Sequence, residues 1–185
     1  EKRNAISYEG WLELRRLATE LAGDDSVRVV VLRGADEKSF SAGADIKDFD
    51  RFRTNSEQAK VYQAAFDAAV DAIEALPVPT ICHIKGFCIG GGCELTLAAD
   101  MRIAADNGRF AIPAARLGIV VGHHEISRLV RLIGPGNSSY ILLSGRTIDA
   151  SEAFRIGLVT KVVPLGESDS YVEELAREIA DLAPL

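Results

Sequence analysis

Three consecutive glycines, Gly90-Gly91-Gly92, most constrain what this chain can fold into. They close the segment Gly86-Phe87-Cys88-Ile89-Gly90-Gly91-Gly92-Cys93-Glu94, which follows an apolar stretch at 80–84 and opens a helical pattern near Gly91. Glycine lets the backbone turn sharply and lets a ligand approach the main chain. The first amides of a helix lack intrahelical partners, point outward and carry partial positive charge. A second segment has the same character: Phe40-Ser41-Ala42-Gly43-Ala44-Asp45-Ile46, which follows the apolar run 29–32. Brought together, two such turns would hold one oxyanion between two N–H groups. Taken singly, each also reads as an ordinary tight turn. Neither is a nucleotide loop of the usual kinds, since the second lacks a Gly-Lys-Ser/Thr ending and its glycines have the wrong spacing for a dinucleotide fingerprint.

Around these turns, helix and strand patterns alternate. Trp11, Leu14, Leu17, Ala18 and Leu21 recur at helical spacing over 8–22, with Gly23 as a stop. Residues 27–32 read as a buried strand and 39–44 as a loop of small residues. A long helix is predicted over 56–75, with Ala65, Phe66, Ala69, Ile73 and Leu76 facing inward and Pro77 and Pro79 ending it. Strands follow at 80–84, 101–105 and 109–112, then a loop at 113–122. Ile126, Leu129, Val130 and Leu132 mark a helix, and Gly134-Pro135-Gly136 separates it from a shorter one containing Tyr140, Ile141 and Leu142. Asp149 and Glu152 have the form of a capping box for a helix to Ile156, closed by Gly157 before a strand at 158–163. The alternation favours an α/β fold, and one domain over 1–185 is the simplest organisation.

Composition narrows the function classes. The 185 residues are 48% apolar, enough for one sizeable core. No stretch approaches the roughly 20 apolar residues of a membrane span. The N-terminal Glu1-Lys2-Arg3-Asn4 has no apolar run behind it, so a signal peptide is not expected and a cytoplasmic location is the default. Cys82, Cys88 and Cys93 form no CxxC pair and read as buried reduced thiols, with no metal site expected. The net charge of -6 argues against broad nucleic-acid binding.

Five segments in one order resemble the crotonase (enoyl-CoA hydratase/isomerase) superfamily. They are Arg3-Asn4-Ala5, Ser41 to Ile46, Gly86 to Glu94, Ala99-Asp100-Met101-Arg102-Ile103-Ala104 and 145–163. The resemblance covers nearly the whole chain and implies a spiral of ββα units, with an acyl-CoA thioester between the two turns. The chain looks trimmed at both ends relative to that family, whose members assemble as trimers and dimers of trimers. By position, the resemblance makes the amides of Ala44 and Gly91 oxyanion donors. Such donors act on charge that develops in the transition state, so they accelerate the reaction instead of merely tightening binding. Glu94 matches one of two hydratase glutamates, and helix-terminal stabilisation is its plainer alternative. Lys2, Arg3 and Ala5 match the CoA-phosphate side, with Lys47 a weaker candidate; solvated surface charge is the other reading of these lysines. Ala42, Asp45 and Ile46 match the adenine side, and Gly90, Pro113 and Gly122 complete the expected binding residues. No cofactor is implied beyond the CoA of the substrate.

Two departures bear on the chemistry. Ala114 stands where hydratases carry their second glutamate, and Gly122 is followed by His123-His124-Glu125 instead of a glycine-rich turn. An imidazole there would titrate near neutral pH, so His123 and His124, with Glu125 beside them, are candidates for the missing proton transfer. The same triplet also reads as the polar start of an exposed helix, and His83, within a strand, as structural. The expected activity is hydration of a 2-enoyl-CoA. Decarboxylation, hydrolysis, another isomerisation and non-catalytic acyl-CoA binding are the alternatives.

Overall fold

Strand, strand, helix is the unit that repeats along the protein, whose computed structural model describes residues 3–182. After α1 (Tyr8–Ala22) come β1 (Val30–Arg33), β2 (Ser39–Ser41), a short α2 (Phe49–Phe52) and the long α3 (Ser56–Glu74). The unit recurs as β3 (Thr80–Ile84), β4 (Phe87–Ile89) and α4 (Gly91–Thr96). It recurs again as β5 (Met101–Ala105) and β6 (Arg109–Ala111), followed by α5 (Ala114–Leu117) and α6 (His123–Ser144). Then come β7 (Ile148–Asp149), α7 (Ala150–Arg155), β8 (Lys161–Val163) and α8 (Ser168–Asp181). In the three units the first strand enters a sheet of order β1-β3-β5-β8, completed by β8, and the second enters a sheet of order β2-β4-β6-β7, completed by β7. Pairing is parallel except between β6 and β7. Each circuit of the chain thus adds one strand to both sheets, which is the expected α/β spiral of ββα units.

Parallel sheets need cover on both faces, and β3 is buried at every position. α1 and α3 provide cover near the glycine turns. Trp11 is fully buried, meets Phe66 edge-on at 4.8 Å and donates from Nε1 to the Tyr62 hydroxyl at 3.1 Å. Both helices start on capping side chains: Ser7 accepts from the Gly10 amide and Asn55 from the Gln58 amide. The far end of α4 is tied down by buried Arg102, which donates to the carbonyls of Ala99 at 2.6 Å, Leu158 at 2.8 Å and Thr96 at 3.3 Å. Neighbouring Asp100 accepts from both the amide and the hydroxyl of Thr80 at 2.8 Å. The segment 99–104 therefore anchors the C-terminal end of α4.

Several sequence expectations change in detail. The presumed loop 39–44 contains β2, and the presumed loop 113–122 contains α5. The glycine-rich turn contains β4, while the strand expected over 27–32 shifts to β1 and that over 158–163 narrows to β8. Leu17, placed on an inner stripe, is 40% exposed. Gly134 (φ 73°, ψ 167°) breaks α6 into two helical runs, the separation expected at Gly134-Pro135-Gly136. Asp149 accepts from the Glu152 amide at 2.8 Å, but the Glu152 carboxylate pairs with Arg155, so only half of the capping box forms. The three cysteines are buried and free. Among the described residues no helix is long and apolar enough to cross a membrane.

Candidate active site

The two glycine-bearing turns meet face to face. Ile6 forms a parallel bridge to Ala44 by donating to the Gly43 carbonyl at 2.8 Å and accepting from the Asp45 amide at 2.9 Å. That pattern uses the groups on either side of Ala44 and leaves the Ala44 N–H directed away from Ile6. Gly91, the first residue of α4, likewise has an amide without an intramolecular acceptor among the described residues. The two amides are close: a Cβ built on Gly91 would lie 3.6 Å from the Ala44 nitrogen, and one built on Gly43 would lie 3.2 Å from the Gly91 nitrogen. Gly92 makes this approach feasible, because a Cβ there would sit 2.6 Å from the Ser41 Cβ. Gly90 (φ 53°, ψ -128°) turns the chain into α4 through a conformation that side chains rarely allow.

The first turn is held from the N-terminal side. The Arg3 carbonyl accepts from the Ala42 amide and the Ser39 hydroxyl, both at 2.9 Å. The Asn4 side chain donates to the Ser39 carbonyl at 2.7 Å, and the Ser41 hydroxyl donates to the Asn4 carbonyl at 2.8 Å. The segment 3–6 thus shapes the turn itself. The Arg3 guanidinium lies over the Phe87 ring at 4.8 Å. Asp45 is buried and accepts from the Lys47 amide, opening a short helical turn.

Both amides border a cavity of about 250 Å³. Ala42, Ala44, Ile46, Gly90, Gly91, Glu94, Pro113, Ala114, Gly122 and Glu125 line it. Ala5, Asp45, Lys47, His123 and His124 are not among its lining, and Arg3 is not either; Lys2 lies outside the described residues. His123 and His124 are exposed at the start of α6, with their rings 6.1 Å apart. The cavity also has a wall that was not read from the sequence: Tyr62, Gln63 and Phe66 of α3, and Arg53, whose guanidinium covers the Phe49 and Tyr62 rings. A polar pair at helical spacing, Gln63 donating to Asp67 at 2.7 Å, was the available signal for a polar inner edge on α3.

Two carboxylates face this space. Glu94 sits one helical turn beyond the Gly91 amide. Its carboxyl is pushed up to about 7, first by burial, then by the negative charges of Glu125 and Asp67, with Arg53 opposing. The group is deep in the protein yet retains contact with solvent through the cavity. Glu125 is only 2% exposed and is also held above the carboxylate range, first by burial. A cavity with two adjacent free N–H donors and two carboxyls of raised proton affinity can stabilise a developing oxyanion and transfer protons near neutral pH.

The enoyl-CoA hydratase/isomerase family model matches residues 1–185. The chain belongs to that family. Relatives support it: a crotonyl-CoA hydratase of Syntrophomonas wolfei is 39% identical over 176 residues, 95% of this chain and 67% of the relative. A short-chain-enoyl-CoA hydratase of Clostridium acetobutylicum is 37% identical over 182 residues, 98% of this chain and 69% of the relative. The crystal structure of an enoyl-CoA hydratase/carnithine racemase from Magnetospirillum magneticum superposes with a TM-score of 0.96 at 39% identity, over 99% of this chain and 68% of that one. This crotonase-fold chain therefore spans a little over two thirds of the length of these relatives.

Proposed function

We propose that this enoyl-CoA hydratase/isomerase family member adds water reversibly across the double bond of a 2-enoyl-CoA. The observation that carries the reading is the pair of unpartnered amides at Ala44 and Gly91, meeting in the same cavity as Glu94. In the forward direction Glu94 takes a proton from water while the water oxygen bonds to the β-carbon. Electron density moves onto the thioester oxygen, which the two amides hold as an enolate oxyanion. Loss of such a donor typically costs about 2.7–4 kcal/mol of transition-state stabilisation. A Glu94 carboxyl poised near 7 suits this task, because general-base efficiency is best with a pKa near the working pH. The proposal requires no cofactor beyond the substrate's own CoA. It extends to assembly as a trimer or dimer of trimers, for which exposed Tyr140, Leu143 and Phe154 offer apolar surface.

Steady-state conversion of crotonyl-CoA by the intact protein tests this function. Glu94→Gln should lower kcat by about 10²–10⁴-fold with the fold retained. An unchanged rate in that variant would remove Glu94 from the mechanism. Ala114 favours one second reading, acyl-CoA binding without catalysis; tight binding with no turnover across a panel of enoyl-CoA chain lengths would establish it instead.

A further inference from the structure

Hydration moves two protons, one from the attacking water and one onto the α-carbon, and Glu94 accounts for only the first. At the position where the family resemblance expects a second glutamate, Ala114 contributes a methyl group to the cavity wall. Of the three polar residues opening α6, only Glu125 is buried and lines the cavity. Its Oε2 has no hydrogen-bond partner among the described residues, although a buried carboxylate oxygen ordinarily has one. Its Oε1 lies 3.4 Å from Nη1 of Arg128. Arg128 is itself committed to α3, donating to Asp71 at 2.5 Å and to Glu74 at 2.6 Å. One carboxylate oxygen is thereby oriented by a fixed cation, and the other, in a side chain that lines the cavity, carries no hydrogen bond among the described residues. The side chain folds back over the start of its own helix, where a Cβ on Gly122 would lie only 2.2 Å from Oε2.

We propose that Glu125 is the second catalytic carboxyl, passing a proton between its Oε2 and the α-carbon of the bound thioester. This rests on the hydration reading above. In the forward direction the water O–H bond breaks as its oxygen bonds to the β-carbon, and Glu94 receives the proton. The π pair moves towards the α-carbon and thioester oxygen. The Oε2–H bond of protonated Glu125 then breaks as the α-carbon–hydrogen bond forms, leaving Glu125 ionised. The sum is H and OH added across the double bond, with nothing oxidised or reduced. Proton exchange between the two carboxyls and solvent resets the site.

The charges around Glu125 fit one shared proton. Asp67 of α3 is a negative neighbour of Glu125, and Glu125 is in turn a negative neighbour of Glu94 on α4; Arg128 and His124 on its own helix oppose Asp67, and Asp71 and Glu74 offset Arg128 from behind. Two carboxyls in one poorly solvated space do not both ionise readily, so the pair tends to hold one proton between them.

The test compares wild type, Glu125→Gln and Glu94→Gln with crotonyl-CoA across pH. Glu125→Gln should lower kcat by about 10²–10⁴-fold with KM changed by less than about tenfold, and should abolish the alkaline limb of the pH profile. A second measurement does not need the Glu125 variant to fold. Glu94→Gln, although strongly slowed in hydrating crotonyl-CoA, should still exchange the α-proton of bound butyryl-CoA with D₂O, followed by NMR. A Glu125→Gln protein with the wild-type rate and profile, beside an inactive Glu94→Gln protein, would overturn the role of Glu125 and leave hydration standing. Absence of α-proton exchange in Glu94→Gln with butyryl-CoA bound would also overturn it. A wild-type protein that turns over no 2-enoyl-CoA would bring down both readings together.

Discussion

The wall of the cavity built by the two turns and the wall built by α4 and α6 present different chemistry: main-chain amides on one, carboxyl side chains on the other. The amide wall is shaped by glycine packing and backbone hydrogen bonds, with Ile6, Gly43, Gly92 and Ser41 fitted against one another. Its donors are the same whatever side chains surround them. The carboxyl wall depends on single residues, so Glu94 on α4, Ala114 on α5 and Glu125 on α6 can be exchanged without disturbing the sheets. The difference between the walls can be broken experimentally in order of expected effect.

Of the further tests, the largest effect belongs to the amide wall. Ala44→Pro removes the free N–H but not the bridge to Ile6, which uses the flanking residues. We expect kcat for crotonyl-CoA to fall about 10²–10³-fold while thermal melting shows a folded protein. A rate near wild type would show that the Ala44 amide donates nothing to the transition state.

The carboxyl wall should appear next, as a pH effect. With Glu94 at about 7, kcat/KM should fall about tenfold per unit as pH drops below that value and the base becomes protonated. The same shift has a stability consequence of definite sign. A folded-state value raised from 4.5 means that the fold favours the neutral form. Its contribution is therefore present below about pH 4.5 and lost as pH rises through about 7. Glu94→Gln should accordingly raise unfolding free energy by about 1–3 kcal/mol at pH 8 and leave it nearly unchanged near pH 4, read by denaturant titration. Equal stabilisation at both pH values would contradict the assigned burial cost.

A smaller effect tests how tightly the amide wall is packed. Gly92→Ala would place a methyl group against Ser41 and push α4 away from the first turn. Denaturant titration should show a loss of about 1–3 kcal/mol, as overpacking usually does. The smallest effect separates the histidines from Glu125. His123→Gln alters an exposed ring outside the cavity, so kcat should stay within about twofold of wild type. A large loss would return proton transfer to the imidazoles.

Legibility in the sequence followed the same division. Gly90-Gly91-Gly92 and Gly43 announced the turns because glycine has few other reasons to cluster after a strand, and ordered motifs then supplied the family. β2 and β7 escaped notice because three and two residues are too few to show alternation. α5, at four residues, has no room for a helical period. The sequence offers Glu125 only together with His123 and His124, because Ile126 suggests a helix phase in which it is inward, whereas Ile126 is 36% exposed. Glu125, Leu129 and Ile133, spaced by four, are among the buried residues of α6, and that phase turns the carboxylate inward while leaving His123 and His124 outside. Arg53 and Gln63 reach the cavity only through tertiary packing of α2 and α3, which no local pattern carries.

The central claim is that the Ala44 and Gly91 amides hold the thioester oxygen. Isotope-edited infrared difference spectroscopy of a bound acyl-CoA with a ¹³C-labelled thioester carbonyl measures this directly. The carbonyl stretch should move to lower frequency on binding to the wild-type protein, and most of that shift should disappear in Ala44→Pro. A bound carbonyl with the same frequency as in water, unaffected by Ala44→Pro, would contradict it.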